Sequence, residues 1–133
     1  MMRIRDLYNE INVGSGIAVT AVSSNTTTNG DIIDLQGSGG VLWVLRIASR
    51  TDGTYTPSIQ VGNESDLSDA VSADSSTVQG SLTGLTANGL TTYQLKATTY
   101  RYARIRVAST SVTSGASVSA IAVKFDLNQT GGV

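Results

Sequence analysis

The sequence predicts an all-β protein, a two-sheet antiparallel sandwich of jelly-roll type with about eight strands and a flexible N-terminal arm. Three observations predict this fold class. Turn dipeptides recur along the 133-residue chain, the short runs between them alternate apolar and polar residues, and helical periodicity is nearly absent. A chain of this length forms one domain. We expect an arm at residues 1–15, the sandwich at 16–128 and a tail at 129–133.

The clearest strands flank the turn dipeptide Asp52-Gly53. The run 41–47 precedes this turn, the run 55–61 follows it, and both alternate with period two. We therefore expect the two runs to pair as a hairpin. The residues expected to face inward are Val41, Trp43, Leu45, Ile47, Ile59 and Val61, and those expected outside are Arg46, Ser58 and Gln60.

Two further strands are predicted near the C-terminus, at 100–108 and 117–127. The first carries Ala103, Ile105 and Val107 on one face and Tyr102, Arg104 and Arg106 on the other. The second carries Ile121, Val123, Phe125 and Leu127 opposite Ala120, Ala122, Lys124 and Asp126, and we expect Phe125 in the core. Weaker strand candidates lie at 17–22, 31–35, 76–80 and 90–96.

Composition excludes several classes of function. Charged residues make up 14% of the chain, and nine basic residues against ten acidic ones give a net charge of −1, so no global field attracts nucleic acid or anionic lipid. The chain has no His and no Cys, which removes the commonest general base, the thiol nucleophile and the usual zinc ligands. We expect no enzyme activity and no cofactor. The sequence has neither a signal-peptide pattern nor an apolar window long enough to span a membrane.

Carboxylates cluster in residues 62–74, which hold four of the ten acidic residues. Oxygen-rich loops bind Ca²⁺, but the spacing matches no EF-hand loop, and a solvated loop or a short capped turn at 65–69 explains it equally well. The pairs Asp31/Asp34 and Asp66/Asp69 could in principle serve a glycosidase. Because neither pair is marked as buried, we favour turn and strand-edge aspartates, and we predict no metal site.

Two segments carry candidate partner-binding residues. The strand 100–108 combines arginine with tyrosine, as interface anchors do, although charge on an exposed edge also protects against aggregation. The arm has more anchor residues than a frayed terminus needs, so we expect it to dock on a partner subunit rather than remain loose. The predicted partner-binding residues are Arg3, Arg5, Tyr8, Tyr100, Arg101, Tyr102, Arg104 and Arg106.

An ordered series of segments carries a resemblance to a known family. The segments are Gly30-Asp31-Ile32-Ile33-Asp34-Leu35, the apolar run 41–47, Tyr55-Thr56-Pro57-Ser58-Ile59-Gln60-Val61-Gly62, Asp66-Leu67-Ser68-Asp69-Ala70, Tyr100-Arg101-Tyr102-Ala103-Arg104-Ile105-Arg106-Val107, and the closing strand 118–127. In this order, over residues 16–128, the chain resembles the jelly-roll capsid cement, or decoration, proteins of tailed bacteriophages, the group that includes the cement protein of Bordetella phage.

The resemblance implies a virion structural protein without catalysis. Such a protein is made in the host cytoplasm, lies on the outer surface of the capsid and bridges subunits of the major capsid protein. It implies a homo-oligomer, with a dimer favoured over a trimer, and neither nucleic acid nor membrane as a partner. The alternative is a carbohydrate-binding or adhesin domain of the tail-fibre type, because jelly rolls also host lectins. An exposed Trp43 would favour that alternative.

Overall fold

The computed structural model describes residues 11–95 and 99–125, which contain ten β-strands and one short 3-10 helix at Ser75–Thr77. None of these residues belongs to a helix of the length and apolarity that a membrane span requires. The strands are β1 (Ile11–Val22), β2 (Thr26–Asn29), β3 (Ile33–Asp34), β4 (Gly40–Ala48), β5 (Thr54–Gly62), β6 (Val71–Ser72), β7 (Val78–Gln79), β8 (Gly89–Leu95), β9 (Tyr102–Thr110) and β10 (Ala116–Phe125).

The strands form two sheets that face each other across one core. Sheet A has the order β1-β10-β4-β8-β7, and sheet B has the order β2-β9-β5-β6, with β3 also paired to β9. Every pairing is antiparallel. Most successive strands lie in different sheets, an order compatible with a jelly roll, so the predicted antiparallel sandwich is confirmed.

The core consists of the inward positions of the long strands, as period-two alternation predicts. Trp43, Tyr55 and Tyr93 are its largest fully buried side chains. The inward orientations predicted for 41–47, 55–61 and 100–108 are confirmed by the burial of Val41, Trp43, Leu45, Ile47, Ile59, Val61, Ala103, Ile105 and Val107.

The predicted hairpin across Asp52-Gly53 is wrong, because β4 belongs to sheet A and β5 to sheet B. Both sides of β4 are occupied, one by β10 and the other by β8. The connection at 49–53 therefore crosses between the sheets, and Ser49 and Gly53 have positive φ values of 52° and 95° there. The Asp52 carboxylate accepts backbone N–H groups from the β9–β10 connection instead of closing a hairpin.

The predicted burial of Phe125 is also wrong, because β10 turns its alanine face inward. Ala120 and Ala122 are 5% and 2% exposed, whereas Ile121 is 48% exposed. Ala122 lies directly opposite Trp43 on β4, and the indole leaves room only for a small side chain there. Phe125 is half-buried and lies over Gly40, where an added Cβ would stand 2.8 Å from the Phe125 Cζ. Leu127 and Asp126 lie outside the described residues.

Other strand boundaries differ from the prediction. Residues 11–15 pair with β10 as the first part of β1, whereas the prediction places them in the arm. The sequence does not reveal this part of the strand because Gly14, Ser15 and Gly16 hide its alternation. The candidates at 17–22 and 90–96 correspond to parts of β1 and β8, whereas 31–35 and 76–80 contain only the two-residue strands β3 and β7. Strands β2 and β6 were not predicted. Residues 1–10 and 126–133 lie outside the described residues.

Candidate partner-binding face of sheet B

The outer face of sheet B is built around β9, which lies between β5 on one side and β2 and β3 on the other. Ala103, Ile105 and Val107 are each 0% exposed, so the alternate residues of β9 point outward. Those outward residues are Tyr102, Arg104, Arg106 and Ala108. The strand pattern therefore sets a row of basic and aromatic side chains on one face, as the sequence predicts.

Two of the arginines are held by amide side chains directly opposite them on neighbouring strands. Arg104 pairs in register with Gln60 of β5, and its Nε donates to the Gln60 Oε1 at 2.8 Å. Arg106 pairs in register with Asn29 of β2, and its Nε donates to the Asn29 Oδ1 at 3.0 Å. One donor of each guanidinium is thus fixed within the sheet, and the group keeps further N–H donors for an external acceptor.

Arg101 lies just before β9 and is fixed more firmly. Its Nε and Nη2 donate to the two carboxylate oxygens of Asp34 at 3.1 and 3.0 Å, and its guanidinium lies 5.2 Å from the centre of the Tyr102 ring. The hydrogen bond from Arg101 holds the pKa of Asp34 below its ordinary value, and the same bond raises the pKa of Arg101. Both side chains remain nearly half exposed, so the pair orients Arg101 on the surface more than it stabilises the fold.

The remaining predicted contact residues have different surroundings. Tyr100 is half-buried and packs against the hydrophobic core, so part of its ring supports the sandwich. Arg3, Arg5 and Tyr8 lie outside the described residues. The sequence prediction missed Gln60, Asn29 and Asn63 as positioning residues; Asn63 accepts the Arg101 backbone N–H at 3.2 Å. Only strand register, which pairs residues distant in sequence, identifies them.

The carboxylates of residues 62–74 serve the loop itself. Asp69 accepts the backbone N–H groups of Asn63 and Glu64 at 2.9 and 3.1 Å, and Asp66 accepts that of Ser68 at 2.9 Å. These backbone hydrogen bonds lower the pKa of both aspartates. Among the residues described, no group of three or more His, Cys, Asp or Glu side chains is arranged to hold a metal ion.

The two features that would have pointed to carbohydrate chemistry have other structural roles. Trp43 is 0% exposed in the core, so it offers no surface platform for a sugar ring. In the predicted pair Asp31/Asp34, Asp34 is bound by Arg101. Asp31 lies in the β2–β3 connection of sheet B, and its backbone N–H donates to the carbonyl of Gly16 in β1 of sheet A at 2.6 Å. Asp34 therefore orients the Arg101 side chain.

Comparison with known proteins finds similarity in fold only. The sequence matches no protein-family model and no curated protein. The chain is similar to the crystal structure of SPBc2 prophage-derived protein YomS, with 10% identity, coverage of 86% of this chain and 92% of that chain, and a TM-score of 0.47. It is also similar to the structure of infectious bursal disease virus Gx strain, with 14% identity and a TM-score of 0.51. That similarity covers 92% of this chain but only 34% of the viral chain, and it concerns the fold alone.

Proposed function

We propose that this protein is a virion structural protein, a capsid cement or decoration protein that binds the outside of a phage head and bridges subunits of the major capsid protein. The observation that carries the proposal is the ordered arginine row on the outer face of sheet B, where Arg101, Arg104 and Arg106 are each held by a side chain of another strand or connection. The segments that resemble phage cement proteins include this row.

The arginine row suits a protein contact. Arginine is enriched at the energetic centres of interfaces, and its planar group binds carboxylates through two parallel hydrogen bonds. Here the cross-strand partners fix the side chains before binding, so less rotamer freedom is lost on contact. We infer that the shell contributes carboxylates or exposed carbonyl oxygens to this face. Neither a nucleic acid nor a membrane is part of the proposal, since the net charge is −1.

Bridging follows from an oligomer with several such faces. One contact of this kind is modest, but two linked faces bind two shell subunits, and the second contact forms at high effective concentration. A homo-dimer is the simplest assembly that provides two faces. If the shell contacts reach the matching spacing only after the head expands, binding stabilises the expanded state by mass action.

The test is co-sedimentation of the purified chain with compact and expanded empty heads of its source phage. We expect saturable binding to expanded heads, and the copy number at saturation gives the symmetry position that the protein occupies. Absence of binding to both forms would refute the proposal, and glycan binding would then be the next activity to measure.

Variants with matched charge separate the arginine face from general electrostatics. Arg104→Gln with Arg106→Gln removes two positive charges from the face, while Ser23→Glu with Ser24→Glu makes the same change in net charge at an exposed connection between β1 and β2. We expect the arginine double variant to weaken binding at least about tenfold, roughly 1.4 kcal/mol, and the serine variant to bind as the wild type does. Equal binding by all three proteins would remove this face from the proposal.

A further inference from the structure

The outer face of sheet A has the opposite character to that of sheet B. On β10 the outward residues include Ile121, Val123 and Phe125, and their register partners on β1 include Val13 opposite Val123 and Ile11 opposite Phe125. On the other side of β10, Leu42 and Val44 of β4 continue the patch. Val13, Val123 and Leu42 lie side by side in register, and Val13 and Ile121 are 56% and 48% exposed, so the apolar surface continues across three strands. We call it the apolar face.

The apolar face carries almost no charge. The five strands of sheet A contain two charged residues, Arg46 and Lys124, and no carboxylate. Lys124 donates to the Asp34 carbonyl at 3.2 Å at the side of the sandwich, so Arg46 remains as the charged group on the outer surface. It lies beside Val44 at the border of the patch, where its long side chain reaches solvent. A charged partner would therefore have almost no opposite charge to pair with on this face, whereas an identical uncharged surface can pack against it.

The outer surface of sheet A is close in extent to one side of a dimer interface. The outer surface of sheet A, of which the apolar face is one part, includes the four neighbouring strands β1, β10, β4 and β8. Strands spaced about 4.8 Å apart and about nine residues long present a flat area of about 19 by 30 Å. This is about 570 Å² before side-chain relief is counted, and a stable interface of standard size buries about 800 Å² on each partner. The outer surface of sheet A, with the apolar face in it, therefore has about the extent that a dimer interface needs once side-chain relief is included.

We propose that the apolar face binds the same face of a second copy of this chain around a two-fold axis near Ile121. This deepens the dimer included in the proposed function, because it assigns the surface through which the copies meet. A back-to-back pair directs its two arginine rows away from each other, so each row reaches a different subunit of the shell. Each side of the sandwich then has one role, self-association through sheet A and shell binding through sheet B.

The test is sedimentation velocity of the full chain over a concentration series, without heads. We expect a dimer at about 10 µM, and we expect Ile121→Asp to raise the dissociation constant at least about 100-fold, because the two-fold axis places both carboxylates in the interface. Val13→Asp on β1 is a second variant with the same expected direction, since Val13 is exposed and its replacement leaves the core intact. Ala108→Asp is the control, an equivalent change at an exposed position of sheet B.

A wild-type monomer at about 100 µM would overturn the assignment, including a monomer in which residues 1–10 of the same chain cover the face. Dissociation by Ala108→Asp equal to that by Ile121→Asp would overturn it as well. Circular dichroism and thermal unfolding of each variant establish that the fold is retained. Because this experiment contains no heads, its failure is distinct from a failure of head binding.

Discussion

The Asp52 carboxylate accepts a hydrogen bond from the Gly115 backbone N–H at 2.8 Å, and the Gly115 carbonyl accepts one from the Thr51 N–H at the same distance. Asp52 belongs to the β4–β5 connection and Gly115 to the β9–β10 connection, and both connections cross from one sheet to the other. The same carboxylate also accepts the N–H groups of Thr113 and Ser114. One aspartate therefore joins the two crossings at this end of the sandwich.

Gly115→Ala should strongly destabilise the fold. Gly115 has a φ of +95°, and a Cβ at this position would collide with the Val22 carbonyl oxygen. Because the obstacle is backbone, relief requires movement of the end of β1. We expect a loss of more than about 3 kcal/mol in the free energy of unfolding, measured by urea denaturation at neutral pH.

Gly37→Ala is the matched control for the glycine prediction. Gly37 also has a positive φ, +82°, but a Cβ there would meet nothing within 4 Å. Only the backbone strain remains, so we expect a loss of about 1 kcal/mol. Equal losses for the two variants would mean that the close approach to Val22 contributes nothing.

The Asp52 carboxylate and the backbone N–H groups that it binds form a cap, and this cap should make the stability of the protein depend on pH. Hydrogen bonds from the backbone N–H groups of Ser114, Gly115 and Thr113 lower the pKa of Asp52 in the folded state. Its contribution to stability is therefore complete above the unfolded pKa, about 3.9, and is lost as the pH falls through the lower folded pKa. We expect Asp52→Asn to be less stable than the wild type at pH 6, with the difference shrinking towards pH 3.

The measurement is urea unfolding of both proteins between pH 6 and pH 3. Asp31→Asn is the control, because it removes a carboxylate from an exposed connection without touching this cap. A difference between wild type and Asp52→Asn that stays constant over this range would show that the carboxylate charge plays no part in the cap.

The alternation of apolar residues predicted the inward face of a strand wherever one face was clearly polar. In β9 the outward residues include two arginines, so the assignment was unambiguous. In β10 both faces are apolar, and the sequence prediction chose the larger side chains for the core. The structure places the alanine face inside because Trp43 occupies the volume opposite Ala122 and a Cβ on Gly16 would stand 3.0 Å from the Trp43 Cδ1. Complementary volumes across strands are set by pairing, which a single strand does not reveal.

The candidate site, like the fold, could be predicted only where it depends on a pattern within one strand. The arginine row follows from alternation within β9, a local pattern. Its positioning partners Gln60 and Asn29 lie 44 and 77 residues before the arginines that they hold, and only the register of β9 with β5 and β2 brings them together. The wrong prediction of a hairpin has the same cause. Asp52-Gly53 is a strong local turn signal, but the Asp52 carboxylate accepts hydrogen bonds from the distant segment 113–115.

The single tryptophan gives a direct optical check of the core. Trp43 is 0% exposed, so its fluorescence should be blue-shifted in the folded protein and quenched by acrylamide several-fold less than in the urea-unfolded chain. Equal quenching in the folded and unfolded states would place Trp43 at the surface. That result would also restore the carbohydrate-binding alternative, which needs an exposed aromatic platform.

Ala122→Leu should test which face of β10 lies in the core. Ala122 is 2% exposed and faces Trp43 across the β10–β4 pair, while Gly14 lies opposite it on β1. Inserting a larger side chain into this filled space should cost about 1–3 kcal/mol of unfolding free energy. The control is Ala108→Leu, the same change at an exposed position on β9, for which we expect a shift within about 0.5 kcal/mol. Thermal and urea unfolding of both variants measure the difference. If both variants were equally stable, β10 would turn Ile121 rather than Ala122 towards the core, and the apolar face would not exist.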